Sequence, residues 1–108
     1  MMSQFAHSNI INFKKNIDYA ENGIVSKRVL EKSTGNITLF AFDKGQKLSE
    51  HSAPFDALIQ VAEGKATITI DKEPFMLEAG ESIIMPADIP HAVDATEKFK
   101  MLLTMIKG

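Results

Sequence analysis

The sequence has no cysteine and no tryptophan, and only three of its 108 residues are histidine. Without thiols the chain forms no disulfide, thiolate zinc site or iron–sulfur cluster, and it has no cysteine nucleophile. Any metal ion would have to be held by imidazole, carboxylate or amide groups. Because one histidine, His7, lies near the start of the chain and is expected to be solvated, few imidazoles remain for such a site.

An excess of positive charge is also missing. Twelve lysines and arginines stand against 14 aspartates and glutamates, for a net charge of -2, and Arg28 is the only arginine. Binding to nucleic acid through phosphates, or to membranes through basic clusters, requires a basic surface. We therefore expect neither partner, and the short clusters Lys14-Lys15, Lys27-Arg28 and Lys98–Lys100 are predicted to be solvated surface.

Long apolar runs are absent as well. No segment approaches the roughly 20 apolar residues that cross a bilayer. The first residues lack the charged and then apolar regions of a signal peptide. Together with the lack of cysteine, this pattern predicts a cytoplasmic protein.

What the sequence does contain is short β-type runs separated by turn residues. A chain of 108 residues makes one domain. Six short apolar runs have the composition of strands, and the alternation is clean in Ala66–Ile70. The interpretation is an all-β fold, with a polar lead-in over residues 1–24, one short helix over Phe13–Ala20, and a β-domain over residues 25–108. The predicted strands are Ile37–Phe42, Ala57–Ala62, Ala66–Ile70, Phe75–Leu77, Ser82–Met85 and Met101–Ile106.

Two spaced patterns of glycine and histidine stand out within this domain. The first has its motif positions at Gly45, His51, Ala53, Ala57 and Gly64. The second has them at Gly80, Pro86, Asp88, His91 and Ala95. The spacing resembles the two motifs of the cupin superfamily, G-x5-H-x-H-x3-4-E-x6-G and G-x5-P-x-G-x2-H-x3-N, over roughly residues 35–106. The resemblance implies a double-stranded β-helix, or jelly-roll, barrel.

The same resemblance implies a metal site, which this sequence supplies only in part. His51 and His91 match the first and last ligand positions, whereas Ala53 and Ala57 replace the second histidine and the glutamate. Asp56 is one residue away from the glutamate position and would face the other way unless a β-bulge turned it. A divalent ion (Ni, Zn, Fe or Mn) is thus allowed by His51 and His91 but is not favoured.

Small side chains at two ligand positions leave room inside the barrel. We therefore expect a ligand pocket, for which methionine is a suitable wall because it is flexible and polarizable. The residues expected to line it are His51, His91, Met85, Gln60, Phe42 and Met101.

Three functions follow from these observations. The favoured one is a barrel that binds a small molecule without a complete metal site. The second is a metal-dependent enzyme of the dioxygenase, isomerase or decarboxylase type, using His51 and His91 with an atypical oxygen ligand. The third is a dimeric interaction module in which Ile24–Glu31 crosses to a partner and covers exposed strand edges. A homodimer is expected, and the specific ligand is not determined by the sequence.

Overall fold

The fold was analysed in a computed structural model, which describes residues 5–108. The first four residues of the predicted lead-in lie outside this range. The described chain is built almost entirely from antiparallel strands. Its elements are a 3-10 turn at Phe13–Lys15 and the strands β1 (Ile24–Lys32), β2 (Gly35–Phe42), β3 (Lys47–His51), β4 (Asp56–Ile70), β5 (Glu73–Glu78), β6 (Ser82–Met85), β7 (His91–Asp94) and β8 (Phe99–Ile106).

The long strand β4 joins two sheets. Its first half pairs with β6 and β8 in a first sheet, which continues through β2 to β1. Its second half pairs with β5 and β7 in a second sheet, which ends at β3. The change of sheet coincides with a bulge between Val61 and Glu63, followed by Gly64 at φ +78°. The sheet therefore curls into a barrel, as the motif spacing predicts.

One apolar core lies inside the barrel. Ala57, Ile59 and Val61 are buried at alternate positions of β4, which is the period of a strand with one face inward. The rings of Phe42 and Phe99 stack with their centroids 4.6 Å apart. Residues of the terminal strands β1 and β3, Ile24 and Leu48, pack against this same core, so the curl brings both ends of the sheet to one interior.

The lead-in forms a second, smaller core on the outer face of the first sheet. Ile17 is fully buried there with Leu39, Ala41 and Leu102. The predicted helix over Phe13–Ala20 is wrong beyond the single 3-10 turn. The Asn16 side chain donates to the Asn12 carbonyl at 2.6 Å, and such local bonds compete with helix formation.

A polar cluster fastens the lead-in to the barrel. The Tyr19 hydroxyl donates to Glu63 Oε2 at 2.6 Å, and Lys100 Nζ donates to the Lys14 carbonyl at 2.6 Å. Burial, followed by the Glu63 carboxylate, raises the pKa of Tyr19, and the Tyr19 hydrogen bond lowers the pKa of Glu63. Lys100 is only 7% exposed, so the prediction that it is solvated surface is wrong. We call Tyr19, Glu63, Lys100 and the Lys14 carbonyl the clasp.

Beyond the lead-in, the outer face of the first sheet carries an exposed apolar patch. Cross-strand neighbours Thr104, Leu58 and Ile84 form one row, and Ile84 and Ile106 are 65% and 62% exposed. A depression of about 280 Å³ lies between Asp56, Leu58, Ile84 and Ile106. We call Leu58, Ile84, Thr104 and Ile106 the outer strip.

Among residues 5–108, no helix is long and apolar enough to cross a membrane.

Candidate functional site

Two histidines meet on the inner face of the second sheet. His51 ends β3 and His91 begins β7, and the two are paired directly across the strands. Their rings approach edge to face, with centroids 4.5 Å apart at 66°. Val93, two residues after His91, is buried in the barrel core, which fixes the inward direction of this face. The structure thus brings together the two histidines that the spacing singles out.

Each ring is oriented by a backbone carbonyl two residues earlier in the chain. His51 Nδ1 lies 2.8 Å from the Ser49 oxygen, and His91 Nδ1 lies 3.2 Å from the Ile89 oxygen. A carbonyl only accepts, so in both rings Nδ1 carries the proton and donates. In the neutral tautomer that this hydrogen bond selects, Nε2 is the acceptor atom of the ring.

Burial sets the charge of this pair. His91 is 7% exposed, and this desolvation lowers its pKa, with a smaller contribution from the neighbouring His51; the hydrogen bond to Ile89 acts in the opposite direction. Desolvation disfavours the charged imidazolium. At neutral pH His91 is therefore a hydrogen-bond acceptor at Nε2.

The loops that carry the histidines are tied to each other. The Asp88 N–H donates to the Ala53 carbonyl at 2.7 Å, and the Ala87 N–H donates to Asp56 Oδ1 at 2.9 Å. Asp88 has φ +66°, a conformation that aspartate tolerates better than most residues. Asp56 is exposed, and its carboxylate accepts the hydrogen bond from the Ala87 N–H. It is therefore not turned inward as a substitute for the missing glutamate.

The comparisons with known proteins agree with this geometry. The family model for the cupin domain matches residues 38–107. The chain is a member of the cupin family. None of the curated proteins matches the sequence.

Solved structures share the fold over most or all of the chain. A conserved protein of unknown function from Streptococcus pyogenes is 34% identical, with a TM-score of 0.92 over 100% of this chain and 96% of its own. A cupin 2 conserved barrel domain protein from Leptotrichia buccalis is 44% identical, with a TM-score of 0.87 over 90% of this chain and 47% of its own. A salicylate 1,2-dioxygenase from Pseudaminobacter salicylatoxidans is 18% identical, with a TM-score of 0.73 over 78% of this chain and 26% of its own, and it shows the fold alone.

The other residues that the sequence predicted to line a ligand pocket divide into two groups. Met85, Phe42 and Met101 face inward but are almost fully buried within the barrel core. Gln60 is exposed and alternates with the buried Ile59 and Val61, so it lies on the outer face and is not brought to the histidines.

A protein-held metal ion does not fit this donor set. Ala57 is buried beside Met85, and a methyl group at this position and at Ala53 coordinates nothing. Within the described part of the chain, no three histidine, aspartate or glutamate side chains are grouped closely enough to hold an ion. Two imidazoles leave most of the coordination sphere without protein donors.

Sequence reasoning missed one inward-facing polar side chain, Arg28. It was predicted to be solvated, yet its side chain is only 21% exposed. Every second residue of β1 from the inward-facing Ile24 onward, namely Ser26 and Arg28, lies on the same face. This period of two is the sequence signal from which the inward position of Arg28 could have been predicted.

Proposed function

We propose that this cupin binds a small organic molecule, without catalysing a reaction, through His51 and His91 inside its barrel. The observation that carries the proposal is the histidine pair itself. The two imidazoles are adjacent, each is oriented by the hydrogen bond from Nδ1 to a backbone carbonyl, and each Nε2 atom is available to accept a hydrogen bond from a ligand. Side chains oriented in this way by backbone carbonyls are preorganised, so little rotamer entropy is lost when a ligand binds.

The tautomers determine the kind of group that this site recognises. A neutral Nε2 accepts a hydrogen bond, so the complementary ligand group is a donor such as a hydroxyl. Apolar residues adjoin the pair, since Ile70, the partner of His91 on β4, packs against the barrel core, and a compact carbon skeleton is therefore the expected body of the ligand.

The second candidate is a metal-dependent cupin enzyme. It is favoured by the two inward imidazoles, whose carbonyl-bonded Nδ1 atoms are typical of metal-ligating histidine. It requires at least one further oxygen donor from outside the pair. Because Ala53 and Ala57 stand where the motif has ligands, and Asp56 is engaged with Ala87, we favour binding over metal catalysis.

The proposal includes a homodimer. The outer strip is apolar, and β6 beside it is hydrogen-bonded in the described structure only to β4. Asp56 lines the depression beside the strip, and the oppositely charged Lys107 follows Ile106 in the chain. A two-fold axis would bring the same patch together twice, with each acidic side chain near a basic one.

Native mass spectrometry of protein purified without a histidine tag tests the binding function. We expect a small-molecule adduct on the chain that is lost on denaturation, and lost in H51A and H91A but retained in H7A, which removes an exposed histidine. Elemental analysis of the same samples is expected to give far less than one metal ion per chain. A stoichiometric metal that disappears in H51A and H91A would instead support the enzyme.

A further inference from the structure

The single arginine of the chain faces the barrel interior. Arg28 on β1 is paired with Thr38 on β2, and direct partners in an antiparallel pair project from the same face. Thr38 is buried and lies two residues before Phe40, which packs on the barrel core. The neighbouring Lys27 points the other way and donates to the Asn16 carbonyl of the lead-in at 2.6 Å.

The Arg28 guanidinium is incompletely satisfied. Its Nε and Nη1 atoms are buried, and neither has a hydrogen-bond acceptor of suitable geometry among residues 5–108. Glu31 Oε2 lies 3.1 Å from Nη1, which is close enough for charge attraction, but the N–H is not directed at the oxygen. Arginine stays protonated at any physiological pH, so Arg28 is a partly buried positive charge with two nitrogen atoms that make no hydrogen bond.

Counting residues along β2 and β3 places Arg28 and the histidine pair at similar distances from the connection between these two strands. Thr38, the partner of Arg28, lies four residues before Phe42, where β2 ends. His51 lies four residues after Lys47, where β3 begins. At about 3.3 Å per residue, both lie roughly 13 Å from the connection between these strands. Ile24 of β1 and Leu48 of β3 pack against the same apolar core, so the inner faces of both strands are directed to one interior.

We propose that Arg28 binds a carboxylate of the ligand whose hydroxyl is accepted by His51 and His91, which makes the ligand a small hydroxy acid. The inference rests on the proposed binding function and adds a charged group to it. A carboxylate supplies both the negative charge and the acceptor atoms that the guanidinium lacks. Glu31 is then an internal competitor, since its carboxylate already attracts the same guanidinium.

The test is a titration with defined probes. Lactate and 4-hydroxybenzoate differ in the distance between hydroxyl and carboxylate, and lactamide and 4-hydroxybenzamide are their uncharged counterparts. Binding is followed by the imidazole NMR signals of His51 and His91 in the full chain. The variants are R28Q, K27Q as a matched loss of one positive charge from the outer face, and E31Q.

We expect at least one of the two acids to shift both histidine signals saturably, and its amide to bind much more weakly. R28Q is expected to weaken binding of the acid about tenfold or more, because charge-assisted hydrogen bonds are lost. K27Q is expected to leave the Kd within about twofold of the wild-type value. E31Q is expected to tighten binding, a gain that general destabilisation of the barrel would not produce.

Two results would overturn the assignment. Equal binding of an acid and its amide, or of the acid to wild type and R28Q, would mean that Arg28 takes no carboxylate, while the histidine site would stand. No histidine shift with either acid, in wild type and in E31Q, would reject a hydroxy-acid ligand. The adduct seen by native mass spectrometry would then still decide whether the barrel binds a ligand of another class.

Discussion

Two imidazoles with centroids 4.5 Å apart cannot both become charged without repelling each other. Their environments are unequal, since His91 is buried and His51 is exposed. Burial is the larger cause of the lowered pKa of His91, and His51 is the smaller one. The two rings therefore have different tasks: the inner ring stays neutral, while the outer ring meets solvent and incoming molecules.

The first prediction concerns the pH dependence that follows from His91. The folded chain binds a proton at His91 less readily than the unfolded chain does, so the free energy of unfolding falls as pH drops below about 6.5, the ordinary histidine pKa. In H51A the pKa of His91 is expected to rise but to stay below that value, because burial remains. NMR titration of the ring protons, with urea unfolding at several pH values, measures both effects. A wild-type His91 that titrates at or above 6.5 would contradict the burial argument.

Single residues also show what the sequence could predict. His51 and His91 were predicted from motif spacing, because a strand with known phase brings fixed positions to one face. Gln60 could have been excluded in the same way, since Ile59 and Val61 on either side of it are the apolar inward residues. The missing hydrogen bonds of Arg28 could not be predicted, because they depend on how its side chain packs against other strands.

At the scale of elements, the lead-in and the long strand β4 depart from the predictions. Ala57–Ala62 and Ala66–Ile70 were predicted as separate strands with a turn at Gly64. The structure shows one bent strand instead, because Gly64 at φ +78° allows a change of direction without breaking the pairing. A side chain there would collide with the Lys98 carbonyl. The strands β1, β3 and β7 were not among the six predicted strands, and in β3 the reason is that Lys47–His51 is mostly polar.

The second prediction concerns the clasp between the lead-in and the barrel. Y19F removes the hydroxyl that donates to Glu63, and K100M removes the ammonium that bonds to the Lys14 carbonyl. Each is expected to lower the free energy of unfolding by about 1–2 kcal/mol, as expected for charge-assisted hydrogen bonds near a surface. Faster tryptic cleavage after Lys14 and Lys15 should accompany this loss, and urea unfolding measures it.

A nearby lysine provides the control for the clasp. Lys98 Nζ lies 5.0 Å from the centroid of the Tyr19 ring, as does Lys100 Nζ, but Lys98 is exposed. K98M is expected to cost only about 0.5 kcal/mol, since it removes a solvated cation–π contact. Equal effects of K98M and K100M would mean that the two lysines act only through general charge.

At the scale of the whole molecule, one curled sheet uses its two faces differently. The inner face makes the core and holds the histidines, while the lead-in covers part of the outer face through Ile17, Leu39 and Leu102. The outer strip, on another part of this face, includes the exposed Ile84 and Ile106. Apolar area beside an unpaired strand edge promotes association with another chain, so a partner on this side is what we predict.

The last prediction is that the outer strip forms the contact of the homodimer. Light scattering at micromolar concentration is expected to give about twice the 11.9 kDa of one chain. I84E and I106E are each expected to shift the protein to the monomer, because a buried unpaired carboxylate strongly opposes association. Met76 on β5 is as exposed as Ile84 and lies on the second sheet, so M76E is the matched control and should leave the dimer intact. A wild-type mass of one chain at these concentrations would reject the dimer, and a dimer that survives I84E and I106E would mean that its contact lies elsewhere on the barrel.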